Sequence, residues 1–186
     1  ATEVLGQMYY NGYGVKQDYA TALRHYTTAA SCGVIIAKFL IGQMYEMGVH
    51  VQKNLRTAAK WYEPAAKEGL ASAQLRLAML YFHGDVVGRD YDTAAKWYKA
   101  AADQGVADGL RFYADMVASG KGVKKDYVEA MRLCRLASAK GAVVSFVEEK
   151  FGSTLTAGCC GKTDTSRVEV VALTSESGKK LNGCQG

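Results

Sequence analysis

One spacing constrains this chain more than any other property. The same residue types return every 36 positions, four times over, without an insertion. Leu5, Ile41, Leu77 and Tyr113 fall in register, followed by Gly6, Gly42, Ala78 and Ala114. Met8, Met44, Leu80 and Met116 come next, then Tyr9, Tyr45, Tyr81 and Val117. Gly12, Gly48, Gly84 and Gly120 are the same in every unit, as are Val15, Val51, Val87 and Val123. The second half of each unit carries Asp18, Asn54, Asp90 or Asp126 and then Ala22, Ala58, Ala94 or Ala130. It closes on Ala29, Ala65, Ala101 or Ala137 and on Gly33, Gly69, Gly105 or Gly141. A period of this length marks stacked supersecondary units, because one unit alone cannot bury its apolar face.

Each unit reads as two helices. Ala1, Leu5, Met8 and Gly12 follow the i, i+4, i+7 spacing of one helical face, and a glycine at position 12 suits the left-handed residue that ends a helix. Asp18 stands where an N-cap belongs, with a carboxylate to accept from the next helix's free N–H groups. Ala22, Tyr26, Ala29 and Ala30 form the second apolar stripe, and Gly33 stops it. Small alanines let paired helices approach closely, while tyrosines and methionines fill the space between pairs.

The pattern L-G-x-M-Y-x-x-G-x-G-V-x-x-D-Y-x-x-A-x-x-x-Y-x-x-A-A-x-x-G closely resembles the Sel-1-like repeat (SLR) family, relatives of the tetratricopeptide repeats. The resemblance covers residues 1 to about 144. It implies an all-α protein, a right-handed α-α superhelix or solenoid, acting as a scaffold for macromolecular assembly. The expected organisation is an array over 1–151, with units 1–36, 37–72, 73–108 and 109–144 and a partial capping helix, and then an extension over 152–186.

Three departures from the pattern carry structural expectations. His50 and Val86 replace the second loop glycine, present as Gly14 and Gly122, so those loops are expected to bend differently. Pro64 lies inside the second helix of unit two, where it removes one backbone bond and favours a kink, at a cost of ~3 kcal/mol. Cys134 takes the place of Tyr26, Tyr62 and Tyr98 and leaves a smaller core residue in the last unit.

Beyond Gly141 the register fades. "AVVSFVEEKF" reads as the start of one more helix, capping the stack. The stretch 152–186 changes to Gly, Ser, Thr and Lys, and "RVEVVAL" within it fits a short strand and a helical turn equally. An arm of this composition calls for a surface to lie on, either its own superhelix or a partner.

Composition excludes several classes. About half of the residues are apolar and 22% are charged, a globular balance rather than a disordered one. A net charge of +5 is compatible with an acidic partner but falls short of the dense basic stripe of a dedicated nucleic-acid binder. No stretch approaches ~18 uninterrupted apolar residues, so no membrane span is expected. The chain opens on Ala1, in register and without a signal-like segment, and reads as a processed form or a fragment. Cys32, Cys134, Cys159, Cys160 and Cys184 are odd in number and irregular in spacing, which is no disulfide framework. A reducing intracellular compartment, cytoplasm or mitochondrion, is therefore expected.

Nothing in the pattern supplies catalysis, a metal site or a cofactor. Gly161, Lys162 and Thr163 match the end of a phosphate-binding loop, but Thr156 stands where its first glycine belongs. Adjacent cysteines such as Cys159 and Cys160 rarely chelate one zinc, and no C-x-x-C pair completes a site. His25, His50 and His83 belong to different units and elements, and none pairs with a nucleophile.

Two surfaces remain. Arg24, Lys60, Lys96 and Arg132 recur at one position of every unit, a basic column able to meet a polyanion such as RNA, although it also fits a plain solvated helix face. In the tetratricopeptide relatives, the first helix of each pair lines the concave groove. Carried over, the groove positions of unit one are Glu3, Gln7, Tyr10 and Asn11, and those of unit four are Arg111, Asp115, Ala118 and Ser119. Units two and three place Phe39, Gln43, Glu46 and Met47, then Leu75, Met79, Phe82 and His83 there. Apolar residues on a face expected to be wet mark a binding surface, or else bury themselves against neighbouring helices or the tail. Tyr10, Phe39, Gln43, Glu46, Met47, Leu75, Met79, Phe82, His83 and Arg111 are the candidate partner contacts.

The function expected is a non-enzymatic scaffold that binds a peptide, helix or protein edge on its concave face. The alternatives are a structural subunit of a large complex anchored by its C-terminal tail and, more weakly, polyanion contact through the basic column.

Overall fold

A computed structural model describes residues 2–86 and 88–142. Among the described residues eight helices follow one another: α1 (Thr2–Asn11), α2 (Tyr19–Ser31), α3 (Ile35–Met47), α4 (Leu55–Lys67), α5 (Ala71–His83), α6 (Tyr91–Asp103), α7 (Ala107–Ser119) and α8 (Tyr127–Ala139). The principal contacts join consecutive helices only, within a pair and from one pair to the next. The described residues form an all-α solenoid of four helix pairs, as the period predicts.

Two kinds of connection alternate. Within a pair, the left-handed glycine ends the first helix: Gly48 N–H donates to Met44 O at 2.9 Å, and Gly12, Gly84 and Gly120 repeat the bond. The second helix then starts on its cap. Asp18 Oδ1 accepts from the Ala20 and Thr21 N–H groups, Asn54 Oδ1 from Thr57, Asp90 Oδ1 from Thr93, and Asp126 Oδ1 from Val128 and Glu129. Each such side chain satisfies donors that helix geometry leaves without a partner. Between pairs, the chain turns at Gly33, Gly69, Gly105 and Gly141, and the next residue's N–H returns to the carbonyl of Ala29, Ala65, Ala101 or Ala137. These are Schellman turns.

The loop departures divide. His50 keeps the left-handed conformation of its glycine counterparts, with φ of 62° beside 70° at Gly14 and 67° at Gly122. That loop bends as its equivalents do, and the expected difference is absent. Val86 has no positive φ, and the left-handed residue moves to Gly88, so here the loop does take another path. A β-branched side chain resists the left-handed region that histidine tolerates. α4 runs through Pro64 from Leu55 to Lys67 as one helix.

The core is built of alanine and tyrosine. Tyr26 and Tyr62 are 1% and 0% exposed, and each ring lies on the backbone of the preceding helix. A Cβ added to Gly6 would come within 2.6 Å of the Tyr26 ring, and one added to Gly42 within 2.5 Å of the Tyr62 ring. The glycine of the opening Leu-Gly pair is thus a seat for an aromatic ring. In the last unit Ala114 faces the smaller Cys134, and both are buried in one cluster.

Candidate interaction surface

The face built from α1, α3, α5 and α7 holds every candidate partner contact. Its aromatic residues are half-buried. Tyr10 meets the edge of Tyr19 with ring centres 5.2 Å apart, and burial pushes its hydroxyl pKa up. Phe39 leans on Tyr62 at 5.4 Å. Leu75, Met79 and Phe82 pack onto a cluster formed by Ala78, Ala94, Ala95, Tyr98 and Met116. Phe39 belongs to the cluster of α4 and α5, so these apolar residues fall into two packing groups. Each group serves partly to join a unit to its neighbour.

Exposure concentrates at one register position. Met47 is 54% exposed, and His83, its equivalent one unit on, is also exposed. His83 stands edge-on to Phe82 at 5.4 Å, and Phe82 in turn meets Tyr91 at 5.3 Å. Lys121 reaches back from the loop after α7 to place its Nζ 5.2 Å from the Phe82 ring centre. At the far end, Arg111 lies over the Phe112 ring at 3.9 Å and faces Asp108 at 3.6 Å.

Polar contacts recur at an offset of 30 residues, two of them within a unit and one between units. Lys38 Nζ meets Glu68 Oε1 at 2.6 Å. One repeat later Gln104 Nε2 donates to Gln74 Oε1 at 2.8 Å, the same positions with different chemistry. Glu46 Oε1 faces Arg76 at 3.4 Å, and half-buried Gln43 lies one turn before Glu46. Arg76, Phe112 and Lys121 were absent from the sequence-derived set. The offset that makes Glu46 and Arg76 neighbours becomes visible only once the stacking geometry is known.

The opposite face, formed by the second helices, carries Arg24, Lys60, Lys96 and Arg132, all exposed. Arg132 is held in a fork by Glu129, both bonds at 2.7 Å, and the hydrogen bonds from Arg132 lower the Glu129 pKa. Lys60 and Lys96 line two shallow hollows of about 270 and 420 Å³. These hollows are repeats of one another: Arg56, Ala59, Lys60 and Glu63 in one correspond to Asp92, Ala95, Lys96 and Lys99 in the other.

The shifted titrations belong to helix caps, to tyrosines and to the Glu129–Arg132 pair. Burial raises the pKa of Tyr26 to about 12 and pushes those of Tyr62 and Tyr98 higher. No group of three or more His, Cys, Asp or Glu able to hold a metal occurs among the described residues. No helix among them is long and apolar enough to cross a membrane. Cys32 is exposed and Cys134 buried. Cys159, Cys160, Cys184, the Gly161–Lys162–Thr163 stretch and the extension over 152–186 lie outside the described residues.

The sequence pattern of the Sel1 repeat family matches residues 3–34, 35–70, 71–106 and 107–141. Two solved structures are similar. One is a protective antigen present in uropathogenic Escherichia coli strains and displaying an SLR fold, with 32% identity and a TM-score of 0.74 over 76% of this chain and 30% of its own. The other is a Sel1 repeat protein from Oxalobacter formigenes, with 32% identity and a TM-score of 0.71 over 76% of this chain and 58% of its own. The chain thus spans less than two thirds of either relative's length. No curated protein sequence matches it.

Proposed function

We propose that this chain, which belongs to the Sel1 repeat family, holds a peptide, a helix or a protein edge along the face of α1, α3, α5 and α7. Members of the family generally serve as protein–protein interaction scaffolds and are typically non-catalytic. The observation that carries the choice of face is the pair Met47 and His83. Both are exposed, and they sit at one register position of consecutive units. Phe82 lies beside His83, half-covered, so a partner gains aromatic and thioether contact without displacing the core.

The test uses Met47→Glu together with His83→Glu. Alanine at Phe39 or Phe82 would also loosen the packing on Tyr62 and Tyr91, whereas Met47 and His83 are exposed and the change costs the edge contact of His83 with Phe82. Partner capture should fall at least tenfold while the circular dichroism melt is unchanged. Undiminished capture by the double variant would move the site to another face.

A second reading has its own observation. Lys60 and Lys96 have no carboxylate within salt-bridge distance among the described residues, and each borders a hollow of the same design. Contact with a polyanion there would weaken steeply with salt and with Lys60→Glu plus Lys96→Glu. Binding that ignores both changes removes it.

A further inference from the structure

One position of the repeat is large at both ends of the array and small in the middle: Leu23, Ala59, Ala95 and Met131. Leu23 packs on the cluster of Ala22, Ile41 and Met44, against which Tyr45 and Val51 of the next unit also pack. Alanine at the same place in α4 and α6 stops short of the next unit and lines the two hollows of about 270 and 420 Å³. Beyond Met131, the partial capping helix expected up to residue 151 lies outside the described residues.

Each hollow joins an apolar floor to a basic rim. Beside Lys60 the floor is Ala59, with Tyr81 from α5 and Val86 from the loop after it. Beside Lys96 it is Ala95, with Tyr113 from α7 and Val123 from the following loop. Arg56 adds a cation to the first rim and donates its Nε–H to Val86 O at 2.9 Å. Lys99 adds one to the second rim, 3.3 Å from Asp103. The acids of the rims are Glu63, which already holds Lys67 at 2.7 Å, and Asp92. Each rim thus carries two cations against one acid, and among the described residues neither Lys60 nor Lys96 has a carboxylate within salt-bridge distance.

The geometry points to an acidic peptide bearing aliphatic or aromatic side chains as the occupant of these hollows. A leucine-sized group supplies to each floor what Leu23 supplies between units one and two, and neighbouring carboxylates meet Lys60 and Lys96. Burial of the apolar group provides affinity, while the lysines select an acidic sequence. The phosphates of a nucleic acid answer the rims alone and bring nothing apolar to the floors. Such a partner rests on the second reading for its surface and narrows the polyanion there to a peptide.

Fluorescence anisotropy on the full chain compares a peptide of repeated Leu-Glu-Gly-Ser with one of repeated Glu-Glu-Gly-Ser and with an oligouridylate. The leucine peptide should bind more tightly than its more acidic companion. Ala59→Leu plus Ala95→Leu, which copies the residue of unit one, should weaken it about tenfold or more. Lys60→Gln plus Lys96→Gln should weaken it to a similar degree. The leucine variant should melt at or above the parent; if it melts below, the glutamine variant and the two peptides on the parent chain decide. No binding of the leucine peptide, equal or tighter binding of its companion, or indifference to either pair of substitutions would overturn the assignment. Oligouridylate held through the lysines and untouched by the leucines would overturn it too, while keeping the second reading. None of these substitutions lies on α1, α3, α5 or α7, so the first reading is tested separately.

Discussion

The hydroxyl of Tyr62 donates to Glu46 Oε2 at 2.5 Å, while the other oxygen of that carboxylate faces Arg76 at 3.4 Å. One side chain therefore ties α3 to its own partner α4 and to α5 of the following unit. The ring of Tyr62 is fully buried on Gly42, so its hydroxyl has few alternatives to this acceptor. Position 46 is at once part of the candidate binding face and a clasp between repeats.

Removing the two ends of this bond should not cost the same. Glu46→Ala leaves a largely desolvated hydroxyl without its acceptor, at about 1–3 kcal/mol. Tyr62→Phe removes donor and need together and should cost about 1 kcal/mol. Urea denaturation of both variants and of the double variant measures the difference, and a double variant close to Tyr62→Phe alone shows that the carboxylate acts through the hydroxyl.

Two glycines of matching conformation should respond differently to alanine. Gly14 and Gly122 have φ of 70° and 67°, so either substitution carries the left-handed penalty of about 1 kcal/mol. Around Gly14 only the tip of Met8 comes within 4 Å, whereas a Cβ on Gly122 would meet Tyr91 O at 2.1 Å. Gly122→Ala should therefore lower the melting temperature well beyond Gly14→Ala. Equal melts would mean that the loop after α7 moves freely away from α6.

The caps predict an acid response with a definite sign. Hydrogen bonds from Thr21 hold the Asp18 pKa below its ordinary value, and those from Thr93 do the same for Asp90. A depressed folded pKa gives stability that is present above the ordinary aspartate range and lost as pH falls through the folded value. The stability difference between the parent and Asp90→Ala should thus shrink on acidification below about pH 4. Asn54→Ala, at a cap without a charge, should cost about 1 kcal/mol at both ends of that range. Melts at neutral and acid pH check both.

The buried tyrosines predict the alkaline limb. A folded pKa raised above the ordinary value gives stability that is complete below about 10 and lost as pH rises through the folded value. Tyr26 sets that window from the ordinary value up to about 12, with burial as the main cause. Ultraviolet titration should show Tyr26, Tyr62 and Tyr98 ionising together with loss of helicity. Full ionisation with the helical signal intact would contradict this packing.

Much of the fold was legible in the residues, for a physical reason. Gly12, Asp18 and Gly33 act locally, each through its own backbone or through atoms three residues away, so type and spacing are sufficient to place helix ends. His50 was misjudged because the pattern registers a missing glycine but not that histidine tolerates the same φ. The ring seats of Gly6 and Gly42 were hidden for another reason: they depend on Tyr26 and Tyr62, twenty residues away on a second helix. The binding face was less legible still. Phe39, Leu75, Met79 and Phe82 were identified by position, yet their half-burial comes from contacts between units. Exposure singles out Met47 and His83 instead, and no period encodes exposure.

Oxidative footprinting of Met47 tests the central claim most directly. In the free protein Met47 is 54% exposed, whereas Met44 and Met116 are 0% and 1% exposed and serve as internal references. Mild peroxide treatment followed by mass spectrometry should convert Met47 to its sulfoxide and spare the other two. In the complex recovered by affinity capture, Met47 should be protected at least several-fold while the references stay unchanged. Met47 oxidised as fast in the complex as in the free chain would contradict a partner on the face of α1, α3, α5 and α7.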